Sequence, residues 1–162
     1  MWPTDTGIRP PGPAATFASD FATGSREIRL YETNATRVYL LRQDGAAPPP
    51  EGRQALLEGL RAASAGGPVA VVIDLGERPS FDPGSAAWWL GVLEDRGADV
   101  AVLAVITRAR SLMLGTLAFS AMVSLRHLPV EVKALADEHT AIDWAAAALA
   151  RAAAERKRAS RG

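Results

Sequence analysis

Two short, almost unbroken apolar runs limit this chain more than any other feature. They are PVAVVIDL at 68–75 and DVAVLAVI at 99–106. Each has the length of a strand, is rich in β-branched residues and comes shortly after a turn-forming glycine. Such runs mark central strands covered on both faces, because a strand with one wet face would alternate apolar with polar residues. Between them lies AAWWLGVLEDRG, a helical stretch closed by Gly97. Strand, helix and strand joined over such a distance form a right-handed parallel crossover, so an α/β fold is expected.

The flanking sequence extends this unit in both directions. EIRLYE and TRVYLLR alternate apolar with polar residues on either side of Thr33, Asn34 and Ala35, as half-buried strands of a β-hairpin would. After DGAAPPPEG, Leu56, Leu57, Leu60 and Ala63 recur at helical spacing, Arg53, Glu58 and Arg61 face away, and Gly66-Gly67 ends the helix. Asp82 and Pro83 suit the N-cap and first position of the next helix. Further on come a helix from about Ala109 to Leu125, a strand within PVEVKAL and a last helix starting near Asp137. The order is β-β-α-β-α-β-α-β-α, with a small mixed, mostly parallel sheet. Residues 1–24, with Pro3, Pro10, Pro11 and Pro13 and no period, read as a flexible lead-in, 25–150 as the domain, and 151–162 as a basic tail. Residues 145–154, AAAALARAAA, are expected to be helical by propensity more than by packing, with the closing ERKRASRG fraying.

Composition removes several kinds of chemistry. Without cysteine there is no thiolate metal site, disulfide or cysteine nucleophile, and 162 residues can form a core without them. The 18 Lys+Arg and 18 Asp+Glu give no surplus for phosphate neutralisation, so specific nucleic-acid binding is not expected. That balance is segmental: residues 151–162 hold 5 basic and 1 acidic side chain, leaving 13 and 17 elsewhere. MWPTDTGIRPPGP has neither a basic start nor an apolar run, so the chain reads as cytoplasmic and soluble.

Enzyme signatures are missing: there is no G-x-S-x-G, Walker loop, G-x-G-x-x-G or H-E-x-x-H, and no cofactor or metal site is expected. A serine hydrolase would need Ser80, Ser85 or Ser111 beside His127 or His139, and no spacing calls for that, so it is the weakest alternative. Asp74 ends a strand where a receiver domain has its phosphoacceptor. The acid pair that would hold magnesium is missing, so Asp74 is expected to cap a loop.

Two apolar features remain. Trp88 and Trp89 point about 100° apart on a helix, so one is expected to pack and the other to show as an interface anchor, with burial of both in one broad face as the alternative. SLMLGTLAFSAMVSL, 111–125, has no charge between Arg110 and Arg126, and Met113, Leu117 and Met122 are among apolar residues spread around its circumference. A helix on a sheet needs an apolar stripe on only one side. The run is shorter than the ~20 residues that cross a bilayer, so no transmembrane segment is expected. Its extra apolar surface is expected to meet another protein, such as a second copy in a homodimer. The alternatives are a fully buried helix and a small apolar or lipid ligand held between helix 109–125 and the sheet.

The element order, the strand ending in Asp74, the loop to Asp82 and the helix starting there resemble the STAS family. That family comprises the bacterial anti-sigma factor antagonists and the cytoplasmic domains of sulfate transporters. The likeness covers about residues 26–149. AVLAVITRARSLMLGTLAF followed by PVEVKALADEHTAIDWA is similar to the divergent STAS-like bacterial proteins. The resemblance implies helices mainly on one face of the sheet and a non-enzymatic regulatory or scaffolding role through protein contacts. The helix starting at Asp82, with Trp88 and Trp89, would then form part of the interaction surface. In regulatory members a kinase phosphorylates the serine after an aspartate at that helix start. Here Asp82 is followed by Pro83, which cannot accept phosphate, so the candidate phosphorylation sites for a regulatory kinase are the nearest hydroxyls, Ser85 and Ser80, with an ordinary first-turn serine as the alternative at Ser85.

Overall fold

A computed structural model of the chain describes residues 25–32, 37–43, 50–75 and 83–162. The elements are β1 (Ser25–Glu32), β2 (Arg37–Gln43), α1 (Pro50–Ser64), β3 (Val69–Asp74), α2 (Pro83–Glu94), β4 (Val100–Ile106), α3 (Arg110–Leu125), β5 (Glu131–Leu135) and α4 (Glu138–Ala159). They follow the order expected from the sequence. The five strands form one sheet in the order β1-β2-β3-β4-β5. β1 and β2 are antiparallel, and β2 to β5 are parallel.

Successive side chains of a strand point to opposite faces, and the apolar runs of β3 and β4 accordingly feed two cores. Val71, Ile73, Leu103 and Val105 join Leu56, Leu60, Trp89, Val92, Leu112 and Val123 of α1, α2 and α3 on one face. Ala70, Val72, Val102 and Ala104 join Ala141, Ile142, Ala145, Ala148 and Leu149 of α4 on the other. Three helices thus share one face and α4 covers the second.

The alanine-rich end of the chain corrects the expectation of a helix held by propensity. Ala141 and Ala145 are fully buried, and the strands beneath present Ala70, Ala101 and Ala104. Short side chains on both layers allow α4 to lie close to the sheet, so alanine packs by backbone proximity rather than by side-chain area. The helix also continues to Ala159 instead of fraying at Glu155. Arg156 pairs with Asp99, and Arg151 with Glu131 at 3.5 Å, so part of the tail's positive charge answers acids of the domain body. At the other end Asp137 caps α4, accepting hydrogen bonds from the Thr140 backbone N–H at 2.8 Å and its hydroxyl at 3.0 Å. These bonds hold the Asp137 carboxyl below its ordinary pKa.

α1 is tied to α2 by arginines that the sequence placed on its outer side. Arg61 donates to both carboxylate oxygens of Asp95, at 2.7 and 3.4 Å, and this pairing first of all keeps the Asp95 carboxyl below its usual range. Beside Gly91, a Cβ would come within 2.8 Å of the Arg53 guanidinium, so the guanidinium lies against α2 where there is no side chain.

Candidate interaction surface

α3 meets the molecule along one narrow line. Leu112, Thr116 and Val123 are its buried residues, with Phe119 packed beside them. Thr116 satisfies its buried hydroxyl by donating to the Leu112 carbonyl at 2.7 Å. Nothing among the described residues covers the opposite side. Leu114, Leu117 and Leu125 are 62%, 68% and 79% exposed, and Met113 and Met122 flank them at 39% and 40%. Such values on one helix make a contiguous apolar patch rather than the scattered exposed residues common to protein surfaces.

The ends of α3 fix this face in place. Ala109, at the N-cap, donates its N–H to Thr107 Oγ1 at 3.1 Å. At the C-terminus His127 adopts a positive φ of 55°. Its N–H bonds the Ser124 carbonyl and that of Leu128 bonds the Val123 carbonyl. This is the Schellman arrangement, with histidine in the position where glycine is usual. Arg126 is ion-paired with Glu94 at the end of α2. Backbone geometry thus accounts for His127 at this helix end.

The other residues singled out in the sequence fall differently. Trp88 and Trp89 are both buried, which corrects the expectation that one would show. Their rings meet edge to face with centroids 5.1 Å apart. α2 is enclosed by α1 as well as by the sheet, so its buried arc takes in Ser85, Trp88, Trp89, Leu90, Val92 and Leu93 and leaves no aromatic anchor for a partner. Trp88 Nε1 is buried without a hydrogen-bond partner among the described residues.

Ser85 is also fully buried, and its hydroxyl has no partner among the described residues. A kinase cannot reach it in this conformation, which counts against Ser85 as a phosphoacceptor. Ser80 and Asp82 lie outside the described residues. Asp74 forms an ion pair with Arg42 at 3.3 Å, and Arg42 also bonds Glu138 at 2.8 Å. For the hydrolase alternative, His127 stands at the opposite end of α3 from Ser111. His139 belongs to α4, across the sheet from α2, and pairs with Asp143 at 3.3 Å.

Between α3, α2 and the sheet, where an apolar ligand was considered, a cavity of about 30 Å³ is lined by Ile73, Trp89, Leu103, Gly115 and Phe119 among others. It is apolar and far below the roughly 300–1,000 Å³ of small-molecule sites. In this conformation it has no room for an acyl chain. A Cβ at Gly115 would touch nothing within 4 Å. Gly115→Ala is therefore expected to stabilise the domain by about 1 kcal/mol through helix propensity, read as a raised urea midpoint with an unchanged slope.

No family model and no curated protein matches this sequence. Among solved structures, the chain is similar to an uncharacterized protein of the DUF3478 family, with a SpoIIAA-like fold, from Shewanella loihica PV-4. The TM-score is 0.54 at 19% identity, and the match covers 83% of this chain and 99% of that one. The fold is thus SpoIIAA-like, the STAS-like architecture that the element order resembles. No described helix is long and apolar enough to cross a membrane.

Proposed function

We propose that this chain is a non-enzymatic regulatory or scaffolding domain that works in the bacterial cytoplasm through protein–protein contact, and that the outer face of α3 is its contact surface. One observation carries the reading: Leu114, Leu117 and Leu125 are exposed on a helix with no charge between Arg110 and Arg126. Water contact with so much apolar area is costly at about 25 cal/mol per Å², and a partner that removes it from water recovers that free energy. The SpoIIAA-like fold supports a contact role only by analogy of architecture. Because Ser85 is buried and Pro83 follows Asp82, the contact is not assigned to a phosphate switch on Ser85.

The test is retention on immobilised protein. Wild type should hold a partner, itself or another chain, that Leu117→Glu does not hold, while the two proteins have the same circular dichroism and melting temperature. Equal retention by both, or none by either, would overturn the reading.

A further inference from the structure

The exposed residues of α3 have a symmetry that points to their partner. Along the stripe directly opposite the buried line they are Leu114, Leu117, Ala118, Ala121, Met122 and Leu125, all exposed, with the exposed Met113, Gly115 and Ser124 flanking the stripe. Reversed end for end, the series superposes on itself: Leu114 falls on Leu125, Leu117 on Met122 and Ala118 on Ala121. A two-fold axis passing between positions 119 and 120 would therefore match each side chain with one of the same size. Isologous interfaces require such self-complementarity, because residue i meets j while j meets i. The spacing of such a stripe is palindromic on any helix face, so what suits a second copy is the matching of sizes, leucine with leucine, leucine with methionine and alanine with alanine.

We infer that the partner of this face is a second copy of the chain, with the two α3 helices packed antiparallel across the 118/121 alanines. The inference rests on the contact reading above and names the occupant. Ala118 and Ala121 at the centre allow a short interaxial distance, near 8 Å, at the close end of helix pairs, and the leucines and methionine interlock on either side. The four large side chains of this stripe present on the order of 500 Å² per copy, so a dimer that covers them fully removes about 1,000 Å², the least that a specific interface buries.

The helix dipoles favour the antiparallel arrangement over the parallel one. Antiparallel packing sets the exposed Arg110 near the C-terminal, negative end of the second copy's α3, where the Arg126 charge is answered by its ion pair with Glu94. Parallel packing sets Arg110 against its own copy. The edge position of α3 over β5 leaves the face open to such an approach.

The absence of native cysteine makes the geometry directly testable. Leu114→Cys and Leu125→Cys are exposed substitutions, to be oxidised separately and as an equimolar mixture. In the antiparallel pair Cys at 114 meets Cys at 125 of the other chain, whereas two copies of position 114 are separated by about 16 Å along the axis, beyond disulfide reach. The mixture should therefore form a disulfide-linked dimer and each variant alone should not. Cross-linking of either variant alone would overturn the antiparallel pair. No cross-link in any sample, with wild type monomeric at tens of micromolar, would overturn self-pairing. In that case retention of another protein by wild type but not by Leu117→Glu preserves the contact reading, and loss of that difference removes both.

Discussion

Trp89→Ala is expected to destabilise the domain by about 3–5 kcal/mol, the usual cost of emptying a large aromatic site in a core. The indole is 2% exposed and lies in the core that α1, α2 and α3 share with β3 and β4, beside the small cavity under α3. That cavity would grow, and the surrounding strands are too constrained by the ladder to collapse into it. Since domains of this size are stable by ~5–15 kcal/mol, the variant should unfold at a much lower urea concentration with little change in slope. Trp88 provides the contrast. Its Nε1 is buried without a partner among the described residues, so Trp88→Phe removes an unsatisfied donor and should cost less than about 1.5 kcal/mol. If Trp89→Ala cost less than Trp88→Phe, the assignment of Trp89 to the core would be wrong.

Ala145→Leu is expected to cost about 1–3 kcal/mol or more, although leucine is the more hydrophobic residue. Ala145 is fully buried in the cluster that includes Ala70, Ala101 and Ala104. Three extra carbons there must lift α4 off the sheet or force strained rotamers in both layers. Ala147→Leu, two positions on at an exposed site of the same helix, should change stability by less than about 0.5 kcal/mol. Thermal melts of the two variants decide the matter. Equal melting temperatures would mean that α4 is held by propensity alone, as its composition by itself suggests.

These two sites show where the sequence was informative and where it was not. PVAVVIDL and DVAVLAVI declared themselves as central strands because continuous apolar runs of that length can be satisfied only between two layers. The helix boundaries near Gly66 and Asp137 were legible from capping chemistry, which is local. The close approach of α4 was not, because it depends on alanines at 70, 101 and 104 in strands distant in sequence. The burial of both tryptophans was hidden for a similar reason. The periodicity of α2 tells how far one face is apolar, but not that α1 also encloses it with the Arg53 guanidinium against Gly91.

For the candidate surface, the absence of charge from Arg110 to Arg126 was visible at once, and Met113, Leu117 and Met122 do lie exposed on it. Leu114 and Leu125 are more exposed than either methionine. Which apolar residues a helix turns outward depends on the direction of its sheet contact, and in α3 that was settled by Leu112, Thr116 and Val123 turning inward. Once that direction is known, the end-for-end match of Leu114 with Leu125 and of Ala118 with Ala121 can be read from the sequence.

Sedimentation equilibrium of wild type and Leu117→Glu, run at the same concentrations, tests the role of α3 most directly. Wild type should sediment at twice the mass of the chain, and Leu117→Glu, which places a charge where Met122 of the partner would pack, should associate at least tenfold more weakly and sediment as a monomer. A wild type that stays monomeric at tens of micromolar, or a dimer that Leu117→Glu leaves intact, would contradict the pairing of this face with its own copy.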